Sequence, residues 1–321
     1  MNTAPINENE LTSVLGEQLQ VDPTSLKLRR IRSNSLNTTW YVDGWSRPLV
    51  LKVAPPEIPD SLLYFEKRMI LQEPGILKSV KEKSGIPVPE IISLTERDGR
   101  IHRDWMLMTR LPGSPLPHTA LSVECLKRAM TETGRFLSGL HRIHGDQFGY
   151  LGQHAPMDPQ SEWPRAFTIM WNALVSDIEK SGAYTKDESA SMQRLVESFQ
   201  SALPQLENST LLHMNVWSEN LLVKPGGSVS GIVDWARALW GDPMLDLAAC
   251  ELFGTLTTEF LHGYGNSESL PACHPGSDVF RLYLLYELQK NVFIYAVRHG
   301  DLETAEIYKM RCFSMARSMF G

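Results

Sequence analysis

The chain of 321 residues has only four cysteines, Cys125, Cys250, Cys273 and Cys312, and they are widely scattered. No CxxC pair or regular cysteine spacing occurs, which excludes a sequence-readable zinc site or disulfide framework and suits reduced thiols. Long apolar runs are missing too, with no stretch near the roughly 18 residues of a membrane-spanning helix. The first residues, Met1 to Pro5, lack the basic-then-apolar order of a leader. There is no basic surplus: the formal net charge is -6, which argues against a broad nucleic-acid footprint. No internal repeat or low-complexity tract occurs. These absences lead us to expect a soluble, cytoplasmic protein without nucleic-acid or membrane partners. Two further absences are local. The segment Arg32 to Thr39 holds no glycine, and the loop His213 to Asn220 holds no aspartate.

What is present is an ordinary globular composition, 42% hydrophobic and 21% charged, long enough for a large core. Leu11, Val14, Leu15 and Leu19 recur at helical spacing and predict a helix over 7–19. Trp40–Val42 and Leu49–Val53 read as strands joined through a hairpin at Asp43-Gly44. A helix is expected from Ser61 to Lys83, bent at Pro74-Gly75, and strands after Ile86-Pro87-Val88-Pro89 and at Trp105–Thr109. Beyond Leu111-Pro112-Gly113-Ser114-Pro115 the pattern turns helical over 122–144, 163–180, 186–203, 278–299 and 302–319. A short β-rich interval, 211–235, is broken by Pro225-Gly226-Gly227. The order predicts an α+β chain of two lobes, a small β-rich N-lobe over 1–110 and a larger, mainly helical C-lobe over 111–321, with a cleft between them.

The densest chemical signal is Leu211-Leu212-His213-Met214-Asn215-Val216-Trp217-Ser218-Glu219-Asn220-Leu221-Leu222-Val223. It matches the spacing H-x-D-x-x-x-x-N of a kinase catalytic loop, with Asn215 where that loop has aspartate. Fourteen residues after Asn220, Gly231-Ile232-Val233-Asp234-Trp235 puts a carboxylate at the end of an apolar strand. A hairpin between them would aim Asn220 and Asp234 at one point, and an amide oxygen with a carboxylate suits Mg²⁺. Alone, each residue is most simply a turn or cap residue; the joint spacing carries the functional reading.

Followed by Trp240-Gly241-Asp242-Pro243-Met244-Leu245-Asp246-Leu247-Ala248, this run resembles the signature of the aminoglycoside phosphotransferase (choline kinase-like) family. The likeness is strongest over 211–248 and looser over the rest of the chain. It implies a protein-kinase-like fold and ATP and Mg²⁺ as cofactors. It also implies a phosphoryl transfer to the hydroxyl of a small-molecule acceptor. Lys52 then corresponds to the lysine that holds the α- and β-phosphates, with Glu73 as its helical partner and Glu66 as the alternative. Ser33, Asn34 and Ser35 would cover the phosphates with side-chain donors in place of glycine amides. The backbone from Met108 to Arg110 would bind adenine, Asn220 and Asp234 would hold the metal, and Asn215 and His213 are the catalytic-loop residues. His213 is expected to orient the loop, Asp246 to brace it, and Asp242 to approach the metal or the acceptor. His141, His144 and His154 show no ligand spacing and read as packing or surface residues.

An amide at position 215 can orient a hydroxyl but cannot take its proton at neutral pH. The expected activity is therefore attenuated. The alternatives are a pseudokinase-like binding protein and a kinase-fold enzyme repurposed for another small-molecule reaction, whose pocket Trp163, Phe167, Trp171, Tyr283 and Tyr286 would line. The stretches expected to meet the acceptor, 156–182 and 253–275, hold no dense acidic cluster of the kind a polycation would favour.

Overall fold

The computed structural model describes residues 6–31, 36–58, 60–265 and 277–319. Helix α1 (Glu8–Leu19) begins on Asn7, whose side chain accepts from the Asn9 amide and so satisfies one orphan donor of the first turn. Strands β1 (Lys27–Ile31), β2 (Thr38–Asp43) and β3 (Leu49–Val53), helix α2 (Glu73–Lys83), and strands β4 (Ile91–Thr95) and β5 (Trp105–Thr109) complete this part. The strands form one antiparallel sheet in the order β1-β2-β3-β5-β4. Alternation along β3 sorts its side chains by face. Leu49, Leu51 and Val53 join Trp105, Leu107 and the apolar stripe of α1 in one core. Val50 and Ala54 pack with Met106, Met108, Ile70 and Leu71 on the other face, and Lys52 lies between them in sequence. The sheet therefore presents Lys52 on the face that carries α2.

The expected helix from Ser61 is shorter than predicted. Arg68 takes a left-handed conformation (φ 54°), Met69–Gln72 form a 3₁₀ turn, and α2 starts at Glu73 with Pro74 in its first turn. A proline is well placed there, because the amide it lacks would have no partner within the helix. Segment 62–65 leaves the sheet altogether. Leu63 and Phe65, with Ile76, Leu77 and Val80 of α2, belong to the large core of the helical part.

That part comprises β6 (Ser114–Pro115), α3 (Val123–Leu140), β7 (His144–Gly145), α4 (Trp163–Lys180), α5 (Lys186–Phe199), β8 (Ser209–Leu212), β9 (Leu221–Val223), β10 (Val229–Ile232), β11 (Leu239–Gly241), α6 (Pro243–Leu252), α7 (Thr258–Tyr264) and α8 (Asp278–Phe293). A π-helical turn (Ile294–His299) then leads to α9 (Leu302–Met319). Two three-stranded sheets, β10-β9-β6 and β11-β8-β7, carry the loops between the helices. The result is the expected two-lobed, kinase-like α+β fold, with a sheet-rich N-terminal part and a helical C-terminal part. Trp163, Phe167, Trp171, Tyr283 and Tyr286 are completely enclosed in the helical core. They pack the helical core of the fold.

Candidate active site

Lys52 Nζ lies 2.6 Å from Glu73 Oε1 and 2.9 Å from Asp234 Oδ1. Glu73 Oε1 also accepts from the Trp235 amide. Glu66, the alternative partner, instead pairs with Arg298 and accepts from the Leu63 amide. Burial alone would favour neutral Lys52, but Asp234 and Glu73 outweigh it and raise the ammonium above its ordinary value. Burial raises Glu73, an effect that Lys52 and the Trp235 amide only partly offset. Asp234 is only partly buried, and Lys52 beside it brings its carboxyl below the usual range. An ammonium held by two carboxylates is thus fixed where the sheet meets the helical lobe.

The loop after β8 is built from the opposite side. Asp246, enclosed on α6, accepts from the amides of His213 (2.7 Å) and Met214 (2.9 Å), the bracing role expected of it. His141 Nε2 is 3.2 Å from the same carboxylate, and its Nδ1 is 2.6 Å from Tyr264 Oη. Sequence reasoning missed this link, because 105 residues separate His141 from Asp246 and no local spacing announces it. His213 is fully buried and its Nδ1 accepts from the Asn215 amide. Burial drives its pKa down to about 4 against the pull of Asp246 and Asp234, so the ring is neutral and serves the loop as an acceptor.

Met214 (φ 61°) and Asp234 (φ 68°) both take left-handed conformations that cost a non-glycine residue energy and concentrate at functional sites. They turn their neighbours onto one point. Asn215 Nδ2 donates to Asp234 Oδ2 at 2.9 Å, and Asn220 Nδ2 donates to the Asn215 carbonyl at 2.9 Å. The β9–β10 hairpin closes the arrangement through Val233 N–H to the Asn220 carbonyl. Lys52, Glu73, Asn215, Asn220 and Asp234 are therefore linked by direct hydrogen bonds. One carboxylate with spare lone pairs and one amide oxygen left over at Asn220 are donors that Mg²⁺ accepts, so these residues fit that ion.

The remaining expected residues do not join this group. Asp242 caps α6 through the Met244 amide and accepts from Tyr283 Oη at 2.8 Å. It is buried in the helical core and faces neither metal nor acceptor. Met108 is buried in β5 opposite Val50. The amides of Thr109 and Arg110 donate to the carbonyls of Glu90 and Pro48, and the Arg110 guanidinium lies over Tyr41 and near Asp43. Neither amide is left for an adenine edge, because both complete pairings of the sheet. Ser33, Asn34 and Ser35 lie outside the described residues. A cavity of about 250 Å³ opens elsewhere, lined by Arg68, Arg97, Arg103 and Asp104, and touches none of the linked group. Arg68 there is already held by Asp104 and Glu96.

A family model described as the APH phosphotransferase enzyme family matches residues 27–283. The chain belongs to this family. The mouse protein named acyl-CoA dehydrogenase family member 10 is 26% identical over 273 residues, which are 81% of this chain and 24% of that protein. Viomycin phosphotransferase of Streptomyces vinaceus is 28% identical over 170 residues, 51% of this chain and 55% of that one. The matches thus span about a quarter and about half of these relatives. Among solved structures, a thermostable mutant of aminoglycoside phosphotransferase APH(4)-Ia, in ternary complex with AMP-PNP and hygromycin B, aligns with TM-score 0.68. It is 16% identical, with 96% of this chain and 98% of that one covered, and it shows the shared fold. No helix among the described residues is long and apolar enough to cross a membrane.

Proposed function

We propose that this chain is a nucleotide-dependent phosphotransferase that moves the γ-phosphoryl group of ATP to a hydroxyl of a small molecule, at a rate reduced by the amide of Asn215. The observation that carries the reading is the ion group Glu73–Lys52–Asp234 set against the Asn215–Asn220 loop. Lys52 would hold the α- and β-phosphates, and Glu73 keeps its ammonium on station. Mg²⁺, when held by Asn220 and Asp234, supplies charge neutralisation to the phosphates. Only the NH₂ of an amide can donate to a carboxylate, so the bond to Asp234 leaves Asn215 Oδ1 to accept from the acceptor hydroxyl.

That oxygen orients the hydroxyl but does not take its proton. General-base assistance contributes about 10²–10⁴-fold, and a loose transition state leaves the rest to positioning and electrostatics. The expected activity is slow turnover. It is tested by incubating the protein with Mg-ATP and pools of small alcohols and sugars while following ADP. Wild type should form ADP slowly, and Asn215→Asp should accelerate it by about 10²-fold or more. If Mg-ATP neither raises the melting temperature nor is consumed by either protein, the reading fails.

A second reading, nucleotide binding without turnover, is favoured by the same hydrogen bond, because Asn215 and Lys52 together engage both oxygens of Asp234. Saturable ATP binding with no ADP from either protein would select it.

A further inference from the structure

Each oxygen of the Asp234 carboxylate already has a donor from the chain, Lys52 Nζ on Oδ1 and Asn215 Nδ2 on Oδ2, both at 2.9 Å. The second donor exists only because residue 215 is an amide. An aspartate in its place would set two carboxylates within hydrogen-bond distance in a buried site. As it stands, the Lys52 ammonium faces two carboxyl groups, Glu73 and Asp234; aspartate at 215 would add a third. The backbone of Asn215 is pinned as well. The Asn215 N–H donates to His213 Nδ1, its carbonyl accepts from Asn220, and only 8% of the residue is exposed.

We propose that Asn215 acts as a built-in cation surrogate at Asp234. Its Nδ2 group holds the carboxylate oxygen that a divalent ion would take. The chain therefore binds divalent cations weakly, and it holds nucleotide with less dependence on them than the same site with aspartate at 215. The statement about nucleotide rests on the phosphotransferase reading; the statement about cation affinity does not.

The test uses the full chain and Mn²⁺ without nucleotide, with free ion followed by its electron paramagnetic resonance signal. Asn215→Asp should bind Mn²⁺ at least about tenfold more tightly than wild type, a coupling of ordinary size between neighbouring groups. Asn215→Ala frees Oδ2 without adding charge and should fall between them. In EDTA, Asn215→Asp should melt below wild type and be restored by Mn²⁺, while wild type is unmoved. If both variants bind Mn²⁺ as weakly as wild type, or wild type binds as tightly as Asn215→Asp, the proposal is overturned. Should Asn215→Asp not fold, Asn215→Ala decides alone. A second titration, with a fluorescent ATP analogue, should show less than about a threefold loss of affinity in EDTA for wild type and at least about tenfold for Asn215→Asp. Equal losses overturn the proposal. Failure of all three proteins to bind the analogue overturns the phosphotransferase reading instead, and the Mn²⁺ titration still decides the surrogate.

Discussion

Lys52 is the residue on which both lobes converge, and its two partners are not equivalent. Glu73 is almost fully enclosed, whereas Asp234 retains some exposure. Removing one partner of a buried ion pair leaves a charge uncompensated, at a cost of about 3–5 kcal/mol. Glu73→Ala should therefore lower the urea-derived stability by that order and abolish the rise in melting temperature with Mg-ATP. Asp234→Asn, which keeps an acceptor beside Lys52, should cost less stability than Glu73→Ala. Equal stability losses would place the two carboxylates on the same footing and contradict the geometry. Histidine supplies a pH prediction. Burial holds His154 down at about 4, as it does His213, so each is neutral in the folded chain where its unfolded counterpart, near 6.5, takes a proton. Stability should be insensitive to these groups above pH 6.5. It should fall as pH drops from 6.5 towards 4, by at most about 1.4 kcal/mol per pH unit for each ring. Urea titrations across that window should show His154→Gln with a shallower slope than wild type; an unchanged slope would remove His154 from the account.

Among elements, helices α3 and α7 cross closely enough to require glycine on both. A Cβ on Gly134 would sit 2.0 Å from the Phe260 carbonyl oxygen, and one on Gly263 would sit 1.9 Å from that of Thr131. Both obstacles are backbone. Gly134→Ala must therefore move the helices apart, with an expected loss of about 1–3 kcal/mol. It should also lengthen the contact from Tyr264 to His141, and so loosen the loop that Asp246 braces. A thermal melt reads the first effect and the fluorescence of a bound nucleotide analogue the second; unchanged values for both would mean that the crossing adapts. None of this was visible in the sequence, because the two glycines are far apart in the chain and unremarkable locally. The motif residues were legible for the opposite reason. His213, Asn215, Asn220 and Asp234 lie on one β-turn-β stretch, so their spacing in the chain becomes spacing in space through the β9–β10 hairpin. Lys52 was legible only through the family resemblance, since a lysine on a strand is by itself most simply a solvated side chain. Segment 61–72 misled because its apolar residues recur at helical spacing yet serve different lobes. Leu63 and Phe65 enter the helical core and Ile70 and Leu71 the sheet's, a division that only the tertiary fold imposes.

At the scale of the whole molecule that same segment decides how the lobes move. In a kinase-like fold the pairing of Lys52 with Glu73 depends on where the glutamate-bearing helix sits. Here α2 is packed into the helical lobe by Ile76, Leu77 and Val80. The chain leading to it is tied down three times. The Tyr64 amide donates to Asp177 of α4, Phe65 stacks on Tyr150 at 5.1 Å, and Gln72 Nε2 donates to the carbonyls of Ala236 and Ala238. An element held this way opens only at a free energy approaching that of global unfolding. The Lys52–Glu73 pair should then be a fixed feature of the resting protein and not a switch that nucleotide must close. Hydrogen exchange without nucleotide should show the amides of α2 as strongly protected as those of α4, and Mg-ATP should add little to them. Phe65→Ala, which empties a stacked site at a cost of about 3–5 kcal/mol, should lower the protection of α2 and of α4 together. Rapid exchange confined to α2 in the nucleotide-free wild type would show instead that the helix swings, and that nucleotide assembles the pair.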